Sequence, residues 1–234
     1  MTVSHHAPDN LIGIGLYTPA EAARLVQVSS AKILRWLRGH EISGKHYDPL
    51  WEPQVDLGDQ GIALGFRDLM EIRVASAFIE RGLSAQKVRL AIQRARKIIG
   101  DERPLSTSRF RTDGRSVFLQ IVTEEGETQL IDLFKNQYTF REVMERSLSN
   151  IEFGDDGAPA RWWVLGKAKS IVIDPARSFG RPIEAETSVP AEVLAAAAEA
   201  EGSIEAAARG WDVPVRAVKR AVAFVDEMER RNAA

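Results

Sequence analysis

The fold is decided by the stretch YTPAEAARLVQVSSAKILRWLRG at residues 17–39. A helix is predicted to begin at Thr18, because its side chain can cap the first turn and Pro19 suits the first helical position. Glu21 stands three residues after Thr18 and completes the pattern of a capping box. Small alanines follow and would let a second helix cross closely over the first.

A second helix is predicted directly after this one. Residues 26–28 (VQV) make a short turn, Ser29 or Ser30 can cap the next helix, and Gly39 ends it. Two short helices joined by a tight turn form a helix-turn-helix unit.

The second helix is predicted to have an apolar side and a basic side. Ile33 and Leu37 are four residues apart and should face inward. Cations on the other side can neutralise phosphates, and Arg or Ser can reach base edges in the major groove of DNA. The alternative is an ordinary helical hairpin whose basic face is simply solvated. The residues assigned to the outward side are Ser29, Lys32, Arg35 and Trp36.

Residues 17–39 resemble the start of MerR-like winged helix-turn-helix domains. The stretches 66–72 (FRDLMEI) and 81–89, which contains RGLS, resemble the helix pair that follows the wing in that superfamily. The resemblance implies that residues 44–47 (GKHY) belong to the wing. It covers roughly the first hundred residues, and the cysteines of metal-sensing members are absent. The residues predicted to bind double-stranded operator DNA are Ser29, Ser30, Lys32, Arg35, Trp36, Arg38 and Lys45.

A longer basic helix is predicted at residues 84–99. Ser84 can cap it and Gly100 can end it, while its apolar positions form one stripe. The cations on its other side are second-tier candidates for DNA contact, and a solvated face is the competing interpretation. These cations are Lys87, Arg89, Arg94, Arg96 and Lys97.

A β segment is predicted in the middle of the chain. Residues 110–112 and 116–122 flank Asp113-Gly114, a two-residue hairpin signal, and residues 128–134 can add a third strand. The acidic, Gly-rich stretch 152–159 (EFGDDGAP) is the predicted linker.

The C-terminal part is predicted to be helical. Val215, Val218, Val222 and Val225 should form one apolar stripe of a last helix, which follows a turn at residues 211–214. This is a second helix-turn-helix-like pattern, in acidic surroundings.

The C-terminal residues resemble a small helical domain found alone or fused in antitoxins beside VapC-like PIN-domain toxins. The matching motifs are IDP, FGRPI and the run SIEAAARGWDVPVRAVKRAV. The order of the two resemblances along the chain is similar to that of the larger VapB-type antitoxins. This likeness implies a cognate toxin partner, and cations are candidates to enter the acidic metal-binding site of such a nuclease. The predicted toxin-binding residues are Arg177, Arg181, Arg216, Lys219 and Arg220.

Composition and charge limit the remaining possibilities. The 234 residues are 44% hydrophobic and 27% charged, with a net charge of −2 and no cysteine. The distribution is uneven, since residues 1–104 hold 14 basic and 12 acidic residues while residues 171–234 hold 8 and 11. With no spanning segment, signal peptide, metal-ligand spacing or nucleotide motif, we expect a cytoplasmic protein without cofactor or metal.

The expected fold is mainly α with a small antiparallel β segment. The predicted domains are a MerR-like winged helix-turn-helix at 1–104, a β-hairpin and linker at 105–157 that can dimerise the chain, and a helix-turn-helix-like domain at 158–234 that can bind toxin. Dimer contacts are expected at residues 117–134 and at Trp162-Trp163. The leading hypothesis is a homodimeric antitoxin and autorepressor of its operon, not an enzyme. The alternatives are a MerR-like regulator that senses a small ligand through its C-terminal half, and an adaptor with a vestigial DNA-binding motif.

Overall fold

A computed structural model describes residues 13–56, 61–125 and 137–233. The chain divides into two compact units. Among the described residues, the N-terminal unit contains 18–149 and Phe153–Pro159, and the C-terminal unit contains 13–17, Asn150–Glu152 and 160–233.

The N-terminal unit begins with the two predicted helices. Thr18 accepts a hydrogen bond from the backbone N–H of Glu21, and the Glu21 carboxylate accepts one from the N–H of Thr18, so the predicted capping box is confirmed. Gln27 adopts a left-handed conformation that ends the first helix, and Ser29 caps the second. These helices are α1 (Pro19–Val26) and α2 (Ser30–Arg38).

In the described part of this unit, two small antiparallel pairs of strands and four longer helices follow. The first pair is a hairpin in which His40 lies opposite Tyr47. The helix predicted after Ser84 is confirmed and ends at Gly100. The elements are β1 (His40–Ile42), β2 (Lys45–Tyr47), β3 (Val55–Asp56), β4 (Ile62–Ala63), α3 (Phe66–Glu80), α4 (Ala85–Ile99), α5 (Ser108–Glu125) and α6 (Gln137–Ser147).

The hairpin predicted around Asp113-Gly114 is wrong, because α5 runs through it without a break. Thr107 accepts a hydrogen bond from the backbone of Phe110 and starts the helix. Phe110 is fully buried, and a Cβ on Gly114 would lie 2.8 Å from its ring. The glycine therefore makes room for a core aromatic ring instead of forming a turn. The third predicted strand, at 128–134, lies outside the described residues.

The C-terminal unit is built on antiparallel strands followed by three helices. The sheet has the order β5-β6-β7-β8, and the last helix packs against the two helices before it. Its strands are β5 (Ile151–Phe153), β6 (Pro159–Trp163), β7 (Ile171–Ile173) and β8 (Pro182–Glu184), and its helices are α7 (Ala191–Ala200), α8 (Ile204–Gly210) and α9 (Val215–Ala233).

The predicted linker at 152–159 is a hairpin turn between β5 and β6. The backbone N–H of Gly154 donates to the carbonyl of Ala158, and the Asp156 carboxylate accepts from the N–H of Ala158. Acidic and glycine residues serve the turn geometry here, so the predicted linker is corrected to a hydrogen-bonded hairpin. The division between the two units passes through this hairpin.

The predicted apolar stripe of the last helix is shifted by one position. Val215 is exposed, and Val222 and Val225 are only half-buried, whereas Val218 is buried as expected. Small alanines take core positions because they let α9 approach its neighbours closely. The buried residues are Ala217, Val218, Ala221, Phe224 and Met228.

Trp162 was expected at a dimer contact, but it belongs to the core of its own chain. It lies opposite Ile173 in the sheet and is 4% exposed. Trp163 is half-buried and donates a hydrogen bond of 3.0 Å from its indole to Glu152. The homodimer stays a prediction, but the buried side chain of Trp162 is not exposed for a contact with a second copy.

Candidate functional site

The outward side of α2 carries the cations that the sequence assigned to it. Arg35 and Arg38 are exposed, and Lys32 is half-exposed. The hydroxyl of Ser29 accepts the N–H of Lys32 at 3.4 Å, so it caps the helix while remaining exposed. Ser30, the first residue of α2, is half-exposed. The helix itself contains no acidic residue.

The prediction that Trp36 lies on this outward side is wrong. Its side chain is 5% exposed and lies on the same side of α2 as Ile33, three residues earlier. The ammonium of Lys32 lies 5.1 Å from the centre of the Trp36 ring. This cation–π contact holds Lys32 along the edge of the candidate surface, so Trp36 supports a cation and is not available for contact.

Lys45 lies at the start of β2 and is exposed. Its ammonium is 5.4 Å from the centre of the Tyr47 ring, which stacks on His40 with centroids 4.9 Å apart. Ser43 and Gly44 both have positive φ, the combination that a tight two-residue hairpin turn requires. The strands thus form a short hairpin with a basic residue beside its tip.

Two of the second-tier cations on α4 have structural roles. Arg89 donates to the carbonyl of Pro49 at 2.9 Å and pairs with Asp48 at 3.1 Å, which joins α4 to the loop after β2. Arg96 donates to the carbonyl of Glu102 just beyond its own helix. The predicted DNA-binding cations of α2 and β2 are therefore more accessible to a ligand than Arg89 and Arg96 of α4.

Four of the five predicted toxin-binding cations form ion pairs within the C-terminal unit. Arg177 pairs with Asp174 at 3.0 Å, and Arg181 pairs with Glu192 at 3.0 Å. The other pairs are Arg216 with Glu186, and Arg220 with both Glu184 and Glu186.

These pairs differ strongly in burial. The Glu184 side chain is fully buried, and it accepts hydrogen bonds from the backbone of Glu186 and Thr187 in addition to Arg220 at 2.9 Å. The Arg216–Glu186 pair is exposed, and the Arg216 guanidinium lowers the pKa of the Glu186 carboxyl through a hydrogen bond. Arg220 consequently stabilises the fold by pairing with a buried carboxylate, while Arg216 and the exposed Lys219 remain on the surface.

Sequence reasoning missed the buried carboxylates that organise the N-terminal unit. Asp68 accepts hydrogen bonds from the Trp51 indole, the backbone N–H of Gly65 and the Arg103 guanidinium, at 3.2, 2.9 and 2.6 Å. The position of Asp68 three residues after Gly65, at the start of α3, is a local signal that could have indicated it.

Glu71 lies one turn further along α3 and accepts the backbone N–H groups of Leu105 and Ser106 at 3.1 and 3.0 Å. Burial raises the pKa of Glu71 to about 7, against the lowering effect of these hydrogen bonds. No local signal points to this role, because the partners lie more than thirty residues away.

No protein-family model matches the chain. A relative from Mycobacterium tuberculosis named "Putative antitoxin VapB45" is 28% identical over 188 residues, which cover 73% of this chain and 77% of the relative. This chain is similar to a protein named for a VapB antitoxin. The expected likeness to VapB-type antitoxins is thereby confirmed, while the MerR-like assignment of its N-terminal part stays a prediction.

The crystal structure of Rv2018 from Mycobacterium tuberculosis has a similar fold. It aligns with a TM-score of 0.66 and 24% identity, covering 91% of this chain and all of that one. Within the part of the chain that the structure describes, no helix has the length and apolar character needed to cross a bilayer.

Proposed function

We propose that this protein is the DNA-binding antitoxin of a toxin–antitoxin pair. The observation that carries the proposal is the similarity to the Mycobacterium tuberculosis protein named as an antitoxin, which spans 73% of this chain. The antitoxin neutralises a VapC-like PIN-domain ribonuclease by protein–protein binding and represses its own operon. It acts by binding and not by catalysis.

The geometry of α1 and α2 supports the DNA-binding half of this proposal. Two short helices flank a tight turn, and the second presents Lys32, Arg35 and Arg38 on its outward face. This helix contains no acidic residue. A helix with such a face fits the major groove, where cations contact phosphates and Arg can read guanine. The β1–β2 hairpin with Lys45 takes the place of a wing.

A homodimer is part of the proposal because one short recognition helix buries little surface on DNA. Two copies that bind two half-sites give the affinity and the symmetry that operators of this type require. The N-terminal unit holds the operator, and the C-terminal unit holds the toxin.

The experiment that tests DNA binding compares the wild-type protein with a Lys32→Ala/Arg35→Ala double variant. We expect the variant to lose affinity for the promoter of its own operon, because one lost bidentate base contact costs about 1–3 kcal/mol and each lost phosphate contact reduces the salt slope by about one unit. The measurement is fluorescence anisotropy with a labelled promoter duplex over a range of salt concentrations.

The matched control is Lys169→Ala, which removes an exposed lysine from the C-terminal unit. It should bind the promoter as the wild type does. Unchanged affinity of the double variant, with its fold intact by circular dichroism, would show that α2 does not contact the operator.

A further inference from the structure

The loop that contains Phe179 presents a large apolar side chain to solvent. Phe179 is 66% exposed, more than any other large hydrophobic residue whose side-chain burial the structure describes. Leu16, at 40%, lies beside it, since the backbone N–H of Leu16 donates to the carbonyl of Phe179 at 3.0 Å. Both residues belong to the C-terminal unit.

The backbone of this loop is held in an unfavourable conformation. Ser178, Phe179 and Gly180 have φ values of 47°, 52° and 79°, so three consecutive residues lie in the left-handed region. Glycine adopts this region freely, but a phenylalanine there is strained and has no side-chain hydrogen bond to compensate. Such strain persists only where the surrounding structure imposes it, and it concentrates at functional sites.

Contacts on both sides impose this conformation. The Tyr17 hydroxyl donates to the carbonyl of Gly180 at 2.7 Å, and a Cβ on Gly180 would overlap that hydroxyl. The N–H of Gly180 donates to the carbonyl of Arg177, and the N–H of Arg181 donates to that of Ser178. The loop is therefore rigid, while the side chain it carries is exposed.

An exposed aromatic side chain on a loop held by hydrogen bonds is the kind of group that is enriched at protein–protein interfaces. Because the backbone of the loop is held before binding, less conformational entropy is lost when a partner covers the side chain. Residues that contribute most to binding are enriched in large side chains that fill pockets, with polar groups around them.

The charges that flank Phe179 indicate the chemistry of its partner. Arg177 and Arg181 stand two residues to either side, and the one carboxylate between residues 173 and 183, Asp174, has a side chain only 7% exposed. The Arg181–Glu192 pair is exposed on both sides, so Arg181 can exchange this carboxylate for another at little cost.

We infer that Phe179 is the anchor through which the C-terminal unit binds the toxin, entering an apolar pocket bordered by carboxylates. This inference rests on the proposed antitoxin function and adds the residue and the pocket chemistry. A second copy of this chain fits less well, because a two-fold contact centred on Phe179 would bring the arginines of both loops together, while Glu192 is already paired with Arg181 in each copy.

The test is isothermal titration calorimetry of the full-length protein with the toxin encoded beside it. We expect Phe179→Ala to weaken binding by about 30-fold, the effect typical of an interface anchor. The control is Trp211→Ala, which removes another exposed aromatic residue from the same unit and should leave affinity within about twofold of wild type. Both variants should keep the unfolding temperature and the promoter affinity of the wild type.

The possible outcomes separate this inference from the function on which it rests. If the wild type binds the toxin and Phe179→Ala binds equally well, the anchor is wrong while the antitoxin function stands. If Phe179→Ala instead converts a dimer into a monomer in light scattering and leaves toxin affinity unchanged, the loop joins copies of this chain and the inference is overturned. A wild-type protein that does not bind the toxin refutes both.

Discussion

Asp68 and Glu71 show how single buried carboxylates shape the N-terminal unit. Each accepts backbone N–H groups from loops, and each is fully buried. Asp68 is paired with Arg103 at 2.6 Å, whereas burial dominates at Glu71 and raises its pKa. The two residues sit on the same helix and fix different loops to it.

The free energy of unfolding should fall as pH rises from about 4.5 to about 7. In this range the Glu71 carboxyl is protonated in the folded chain but ionised in the unfolded chain. Its pKa is raised from 4.5 to about 7, so the folded state binds the proton more tightly than the unfolded state. The contribution of this proton to the free energy of unfolding is complete below about pH 4.5 and is lost as pH rises towards about 7. This contribution amounts to about 3 kcal/mol. Urea unfolding from about pH 4 to about pH 8 measures it.

The Glu71→Gln variant removes this titration, so its stability should change less over that range than that of the wild type. The exposed Glu145→Gln on α6 is the control and should follow the wild-type profile. Parallel profiles for wild type and Glu71→Gln would mean that Glu71 does not carry the effect.

Gly180 should be intolerant of a side chain for two reasons that can be separated. Its φ of +79° disfavours any Cβ, and the Cβ would also overlap the Tyr17 hydroxyl. We expect Gly180→Ala to lose about 2–4 kcal/mol in the free energy of unfolding. Gly202→Ala, at φ +71° with open space around it, should lose only about 1 kcal/mol.

Equal losses in urea titrations of these two alanine variants would mean that the packing on Tyr17 contributes nothing to stability. A larger loss of unfolding free energy for Gly180→Ala would support the role of the Tyr17–Gly180 contact in holding the Phe179 loop.

Helix ends were predictable from the sequence, because capping is local. Thr18, Ser29 and Ser84 each accept the N–H three residues ahead, as their neighbours in sequence imply. The interior of α5 was not predictable in the same way, since Asp113-Gly114 favours a hairpin turn locally, whereas in the structure Gly114 lies in a helix against the buried ring of Phe110. Distant packing decided between the two.

The candidate surfaces show the same contrast. The exposed cations of α2 follow from helical periodicity, but the partner of Arg220 is Glu184, thirty-six residues earlier, and no spacing indicates it. The inward position of Trp36 follows from the spacing of three residues to Ile33, which is also buried.

Arg220 ties α9 to β8 through a buried carboxylate. Replacing it with alanine would leave Glu184 buried with backbone and hydroxyl donors but no cation. We expect Arg220→Ala to cost about 2–3 kcal/mol in the free energy of unfolding, measured with urea. The control is Arg216→Ala on the same helix, which breaks an exposed pair with Glu186 and should change stability little.

If both variants unfold like the wild type, Arg220 is as dispensable to the fold as a surface residue. Its predicted role in toxin binding would then be testable without correction for stability.

The two units are not consecutive in the sequence. Residues 13–17 belong to the C-terminal unit, and residues 18–149 belong to the N-terminal one. A cut between residues 157 and 158 would divide the β5–β6 hairpin and separate Tyr17 from Gly180. Single-residue variants of the full-length protein therefore test the division of labour better than two fragments do.

The bond between Tyr17 and Gly180 also sets an order of events during translation. The two residues are 163 positions apart, so at about 5–20 residues per second the ribosome needs about 10–30 s to supply the second after the first. The chain segment that forms the N-terminal unit is synthesised within this interval and can fold first. A nascent chain released before Gly180 leaves the Tyr17 hydroxyl without its acceptor.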